Sequence, residues 1–294
     1  MLSHRPEWSR DGHDWPNRAT SRFVTVGRLR WHVQVAGEGP VLLLLHGTCA
    51  ATHSWRALLP RLAERFTVVA PDLPGHGFTS GRPLGGLSMT AMARAVSELL
   101  AALAVTPRLI VGHSAGVAVA VRMALDGLAA PAGVIGLNAA LMPFPGIAAR
   151  LFPTLARMLF VNPFAPHIFA GIARQQGEVA GFLRRSTGSR IDAAGANFYQ
   201  RLFATPAHCA GAITMMADWD LETLSRDLPK LSVPLLLVHG EGDTMIPPSS
   251  AREAAALVPG ARVETLAGLG HLAHEEAPEQ LATLIERFAA ALVA

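Results

Sequence analysis

Arg108-Leu109-Ile110-Val111-Gly112-His113-Ser114-Ala115-Gly116 puts an apolar run directly before a G-x-S-x-G turn, and a helix-compatible run, Val117 to Leu125, follows at once. A serine hydroxyl is a poor nucleophile unless it is held exposed, beside a base, with donors waiting for the oxyanion. A sharp strand-to-helix turn supplies the exposure, and small residues on both sides let the backbone fold that tightly. The pentapeptide alone is common in proteins and is usually just a turn. Its setting between a strand and a helix is the specific part.

On either side of this unit, strands alternate with helices. Residues 22–35 read as a hairpin turning at Gly27. Val41 to Leu45 is a continuous apolar run, which suits a strand buried on both faces, and it ends at His46-Gly47-Thr48. A helix is expected over Trp55–Ala63, a strand over Thr67–Ala70, a loop from Asp72 to Gly77, and a helix from Met89 to Leu103 capped by Ser88. After the serine unit comes a strand at Val134–Leu137. Beyond Lys230 follow strand Leu235–Val238, helix Ser249–Leu257, strand Arg262–Leu266 and helix Pro278–Leu292. This rhythm predicts an α/β fold with a mostly parallel sheet of eight strands flanked by helices.

Between the sixth and seventh of these strands the rhythm changes. Pro143, Pro145, Pro153, Pro163 and Pro166 break residues 139–230 into short apolar helices. Ligands of open α/β sheets bind outside the carboxyl edge. We therefore expect a core of residues 1–138 and 231–294, with 139–230 as a helical lid lining the substrate pocket.

If Ser114 is a nucleophile, a base, an acid and an oxyanion hole belong on loops at the same edge, in the order Ser…Asp…His. Strand Leu235–Val238 runs into His239-Gly240-Glu241-Gly242-Asp243, and strand Arg262–Leu266 into Ala267-Gly268-Leu269-Gly270-His271. Asp243 and His271 are the expected partners: His271 takes the serine proton, and Asp243 holds the imidazole tautomer. The oxyanion donors are expected to be the N–H groups of Ala115 and Thr48. Singly, each has a plain reading, with Asp243 as a cap and His271 as a satisfied histidine. Their joint placement at strand ends favours the catalytic one. Glu241 is an alternative acid and His274 an alternative base. His46 and His76 read as partners of loop backbone, His113 as packing under the turn, and Asn138 as structural or as a polar group of the pocket.

Composition narrows the function further. Half of the chain is apolar, 16% is charged and the net charge is +3, carried by scattered arginines with Lys230 the only lysine. Arg184, Arg185 and Arg190 are too few for a nucleic-acid stripe. Cys49 and Cys209 form no disulfide framework, the N-terminus has no apolar signal core, and no run approaches the ~20 apolar residues of a membrane span, so a cytoplasmic protein is expected. The twelve histidines show no H-E-x-x-H spacing, and G-x-x-x-x-G-K-[ST] is absent, so neither a metal nor a nucleotide cofactor is expected.

Together, His46-Gly47, the Asp72–Gly77 loop, the serine turn, Asp243 and His271 resemble the α/β-hydrolase superfamily along nearly the full chain. That family's dehalogenases and most of its epoxide hydrolases carry Asp where Ser114 stands, which disfavours those activities. A closer resemblance rests on Trp8 to Arg18, His46-Gly47-Thr48, Leu141 to Gly146, and Met215-Met216-Ala217-Asp218-Trp219-Asp220. These are similar to the magnesium-chelatase accessory proteins of bacterial photosynthesis gene clusters. The resemblance implies a role in bacteriochlorophyll biosynthesis, a hydrophobic small-molecule substrate with tetrapyrroles as candidates, and chelatase subunits as candidate partners. Two readings remain: a serine hydrolase of ester, thioester or similar acyl bonds, or a non-catalytic protein whose pocket binds a tetrapyrrole or a chelatase subunit. The second would use the apolar residues Leu151, Phe152, Leu155, Met158, Leu159, Phe160, Phe164, Ile168 and Phe169, with Arg184, Arg185 or Arg201 meeting carboxylates. Packing within the chain and solvation are the plainer roles for these residues.

Overall fold

The computed structural model describes residues 5–143, 162, 164–175 and 177–292. Strands β1 (Ser21–Val26), β2 (Leu29–Ala36), β3 (Val41–Leu45), β4 (Thr67–Pro71), β5 (Ser80–Gly81), β6 (Leu109–His113), β7 (Gly133–Leu137), β8 (Leu235–Gly240) and β9 (Arg262–Leu266) form one sheet. Its order is β1-β2-β4-β3-β6-β7-β8-β9, with β5 paired to β2. The count is thus nine rather than eight. The added strand is two residues long, too short to leave a periodic signal. Contacts of β2 are antiparallel, whereas β3, β4 and β6 to β9 pair in parallel.

The continuous apolar runs are explained by two cores, one on each face. Successive side chains in a strand point to opposite faces. Leu43, Leu45, Ile110 and Leu237 accordingly join one cluster, with the helices Met89–Ala102 and Ala115–Leu125. Leu42, Leu44, Leu109, Val111, Leu236 and Val238 join the other, with Leu58–Leu62 and Pro278–Ala291. Ser88 caps its helix as expected, its Oγ accepting from Ala91 N. The helix expected over 55–63 is split into a 3-10 turn, Thr52–Trp55, and Leu58–Leu62.

Helices Ala165–Ala173, Glu178–Thr187, Ala193–Phe203, Pro206–Ala217 and Leu221–Asp227 lie between β7 and β8. They meet the loops at the carboxyl ends of the parallel strands. His208 accepts from Gly77 N at 3.2 Å and donates to Cys49 O at 3.1 Å, and Thr48 Oγ1 donates to Met215 Sδ at 3.6 Å. The N-terminal segment joins both regions: Trp15 Nε1 donates to Thr52 Oγ1 at 3.0 Å, and Arg201 Nη2 reaches Asp14 Oδ2 at 2.9 Å. Of the apolar insertion residues named above, Leu151, Phe152, Leu155, Met158, Leu159 and Phe160 fall outside the described residues, as do Pro145, Pro153, Pro163 and the Phe144-Pro145-Gly146 part of the inserted motif. Phe164, Ile168 and Phe169 are exposed. Among the described residues no helix is long and apolar enough to cross a membrane.

Candidate active site

Ser114 sits between β6 and its helix with φ 50° and ψ −116°. A non-glycine residue there stores roughly 1–3 kcal/mol of strain and persists only where its surroundings over-determine it. The flanking glycines show why they do. A Cβ at Gly112 would lie 2.5 Å from Val117 N, and one at Gly116 would overlap Leu45 O. Helix and sheet thus approach too closely for any side chain at positions 112 and 116. Ser114 N donates to Leu137 O at 2.8 Å, which ties the turn to the neighbouring strand.

The expected acid and base meet. His271 Nδ1 donates to Asp243 Oδ2 at 2.7 Å, with both side chains almost wholly buried. Because Nδ1 carries that proton, Nε2 is left as the basic nitrogen. Asp243 Oδ1 accepts from Met245 N and Ile246 N at 2.8 and 2.9 Å, and Oδ2 also accepts from Asn138 Nδ2 at 2.9 Å. Burial pushes this carboxyl up, but the hydrogen bond and charge of His271, with Ile246 N–H and Asn138, hold it below its ordinary value. It stays an anion beside the imidazole.

Gly47 places the β3 loop against Ser114, since a Cβ there would lie 3.0 Å from Ser114 Cβ. Among the described residues no acceptor takes the N–H of Thr48 or of Ala115. Ala115 is the first residue of its helix, whose leading N–H groups have no intrahelical partner. These two N–H groups, the donors expected from the sequence, are left without a backbone acceptor among the described residues. Ser114 Oγ itself makes no hydrogen bond among the described residues.

The alternatives separate cleanly. Glu241 is exposed. His274 is fully buried between Trp55 and His113, with ring centroids 4.7 and 4.3 Å away, and its ring nitrogens have no hydrogen-bond partner among the described residues. His46 accepts from Leu73 N at 2.8 Å and His76 contacts Pro74 O at 3.2 Å, both serving loop backbone. Arg201 is engaged with Asp14 and Asp11 O. No group of His, Cys, Asp and Glu suited to a metal occurs among the described residues.

Two supporting residues were undervalued from sequence. His113 Nε2 donates to His271 O at 2.9 Å, so it holds the base loop as well as packing beneath the turn. Burial, followed by the charge of His271, drives its pKa down to about 3. Asn138 adopts φ 48° and steadies Asp243. Its position at the end of β7, in line with the other loops, was the signal available.

A model of the alpha/beta hydrolase family matches residues 42–284. The magnesium-chelatase 30 kDa subunit of Rhodobacter capsulatus is 40% identical over 276 residues, covering 92% of this chain and 95% of that protein. A pimeloyl-(acyl-carrier protein) methyl ester esterase of Aromatoleum aromaticum is 32% identical over 261 residues, covering 84% and 97%. A thermophilic esterase from Thermogutta terrifontis superposes with a TM-score of 0.72 over 92% of this chain and 99% of its own, at 24% identity, a likeness of fold alone. Family match, strand order and serine turn agree, and the chain belongs to the α/β-hydrolase family.

Proposed function

We propose that the protein is a serine hydrolase of an ester, thioester or related acyl bond. The observation that carries this reading is the buried His271–Asp243 pair, whose His271 carbonyl is held by His113, the residue next to the strained Ser114 turn. Ser114 Oγ attacks the acyl carbon while His271 Nε2 takes its proton. The N–H groups of Thr48 and Ala115 receive the developing oxyanion, each worth about 3 kcal/mol in such sites. The leaving group departs with the proton from His271, giving an acyl-serine. Water then attacks, gives its proton to His271, and releases the acid as Ser114 is reprotonated. Asp243 remains ionised throughout. The insertion, residues 139–230, acts as the lid over this chemistry.

The name of the 40% identical relative supports a place in magnesium-tetrapyrrole metabolism, with a hydrophobic substrate and chelatase subunits as partners. A fluorophosphonate probe tests the catalytic reading. Wild type should label at one serine and Ser114→Ala should not. Equal labelling of both, or none of wild type, overturns it. The same relative favours a second reading, a non-catalytic tetrapyrrole-binding protein. Titration with a magnesium porphyrin tests that reading, and affinity no better than for an unrelated hydrolase removes it.

A further inference from the structure

The loop that carries His271 is held from two sides. Its carbonyls face the core: His271 O accepts from His113 and Gly270 O from Asn138 Nδ2 at 3.3 Å. Its N–H groups face the inserted helices. His271 N donates to Thr187 O and Leu272 N to Ser189 Oγ, both at 2.8 Å. Gly270 N donates to Glu276 Oε2, while Glu276 Oε1 accepts from Arg190 N, both again at 2.8 Å.

The partners on the inserted side follow from how a helix ends. The last carbonyls of a helix have no partner within it. Helix Glu178–Thr187 stops at Gly188, whose φ of 69° closes the left-handed cap. That turn leaves the Thr187 carbonyl pointing out for His271 N and aims the Ser189 hydroxyl at the next N–H. Gly188 also lies against the acid loop so closely that a Cβ would overlap Gly242 O. A single four-residue stretch, 187–190, thus touches the loops of both His271 and Asp243. A second tie lies just beyond it. Arg56 pairs with both Glu275 and Asp192, and Tyr199 OH donates to Glu275 Oε1 at 2.7 Å.

We propose that residues 187–190 of the insertion are the positioning element for the catalytic base, so that lifting this end of the lid and misaligning His271 are one event. The proposal rests on the serine-hydrolase reading above. It makes Ser189 a positioning residue acting through His271 and predicts that the lid moves, when it moves, about this fixed end.

The test compares Ser189→Ala with Asp14→Ala, which cuts the tie between Arg201 of the insertion and the N-terminal segment, away from the base loop. Saturation kinetics with a fluorophosphonate separate probe binding from the covalent step, and hydrogen exchange is followed in the peptide 267–276. Small misplacements of a reacting group cost up to about a hundredfold. Ser189→Ala should slow the covalent step by about tenfold or more, leave probe binding within about twofold, and speed exchange at 267–276. Asp14→Ala should change none of the three. An unchanged covalent step in Ser189→Ala, an equal loss in Asp14→Ala, or unchanged exchange at 267–276 would each overturn the proposal. The Ser114→Ala control reports separately on the parent reading: if it labels like wild type, the chemistry fails, and exchange alone decides whether Ser189 holds the loop.

Discussion

Acidification from pH 6.5 to 5.5 should remove about 4 kcal/mol of folding stability, because the fold keeps many histidines neutral. His53, His76 and His274 are held well below their ordinary pKa by burial, and His113 and His208 are driven to about 3 and about 4, again chiefly by burial. The sign follows from proton counting. The folded state excludes a proton that the unfolded state binds below about 6.5, so stability falls as pH drops. Each such group contributes about 1 kcal/mol of loss across that unit of pH. Glu275 works the other way. Burial raises its carboxyl to about 7, against Arg56 and Tyr199, so the folded state gains a proton here and recovers about 1 kcal/mol. Asp72 and Asp243, both lowered, matter only at more acidic pH, whereas His46 and His239, also lowered by burial, add to the loss, so the figure is a lower one. Net loss is a large part of the roughly 5–15 kcal/mol that a domain has. Urea unfolding at pH 7.5, 6.5 and 5.5 measures it. A net uptake of fewer than two protons on unfolding near pH 6 would refute the reasoning. His274→Leu offers a sharper check: both ring nitrogens lack partners among the described residues, so the variant should lose about one proton of linkage and gain more stability at pH 5.5 than at 7.5.

Other expectations follow from the site. Thr48→Val should leave probe labelling within about twofold, because the residue acts through its backbone N–H while its hydroxyl only meets Met215; a loss of about a hundredfold, as for a missing oxyanion donor, would contradict this. Asn138→Ala should cost about 2 kcal/mol in urea unfolding, from a left-handed backbone and a lost buried hydrogen bond, and should slow labelling. Gly116→Ala should destabilise by more than about 2 kcal/mol or prevent folding, since its Cβ would meet Leu45 O; wild-type thermal stability would refute the close-approach account. Tyr199→Phe should cost about 1–3 kcal/mol by removing the hydroxyl donated to a fully buried carboxyl, measured by the same unfolding.

Local chemistry and period were enough to read most of this fold. Apolar runs at residues 41–45 and 109–111 mark strands buried on both faces, and the G-x-S-x-G turn needs its glycines whatever surrounds it. Asp243 and His271 were legible because strand ends in a parallel sheet share one edge, so order along the chain becomes proximity. Strand β5 escaped because two residues carry no period, and the break of 55–63 into two turns depends on packing rather than propensity. Tertiary structure alone decided what holds the site. Thr187, Ser189 and Arg190 lie some eighty positions from His271 and reach it mainly through backbone groups and a hydroxyl, which leave no mark on side-chain pattern. Sequence names the candidate groups because chemistry restricts their side chains; only the folded chain says what keeps them aligned, because a backbone hydrogen bond is available to almost any residue.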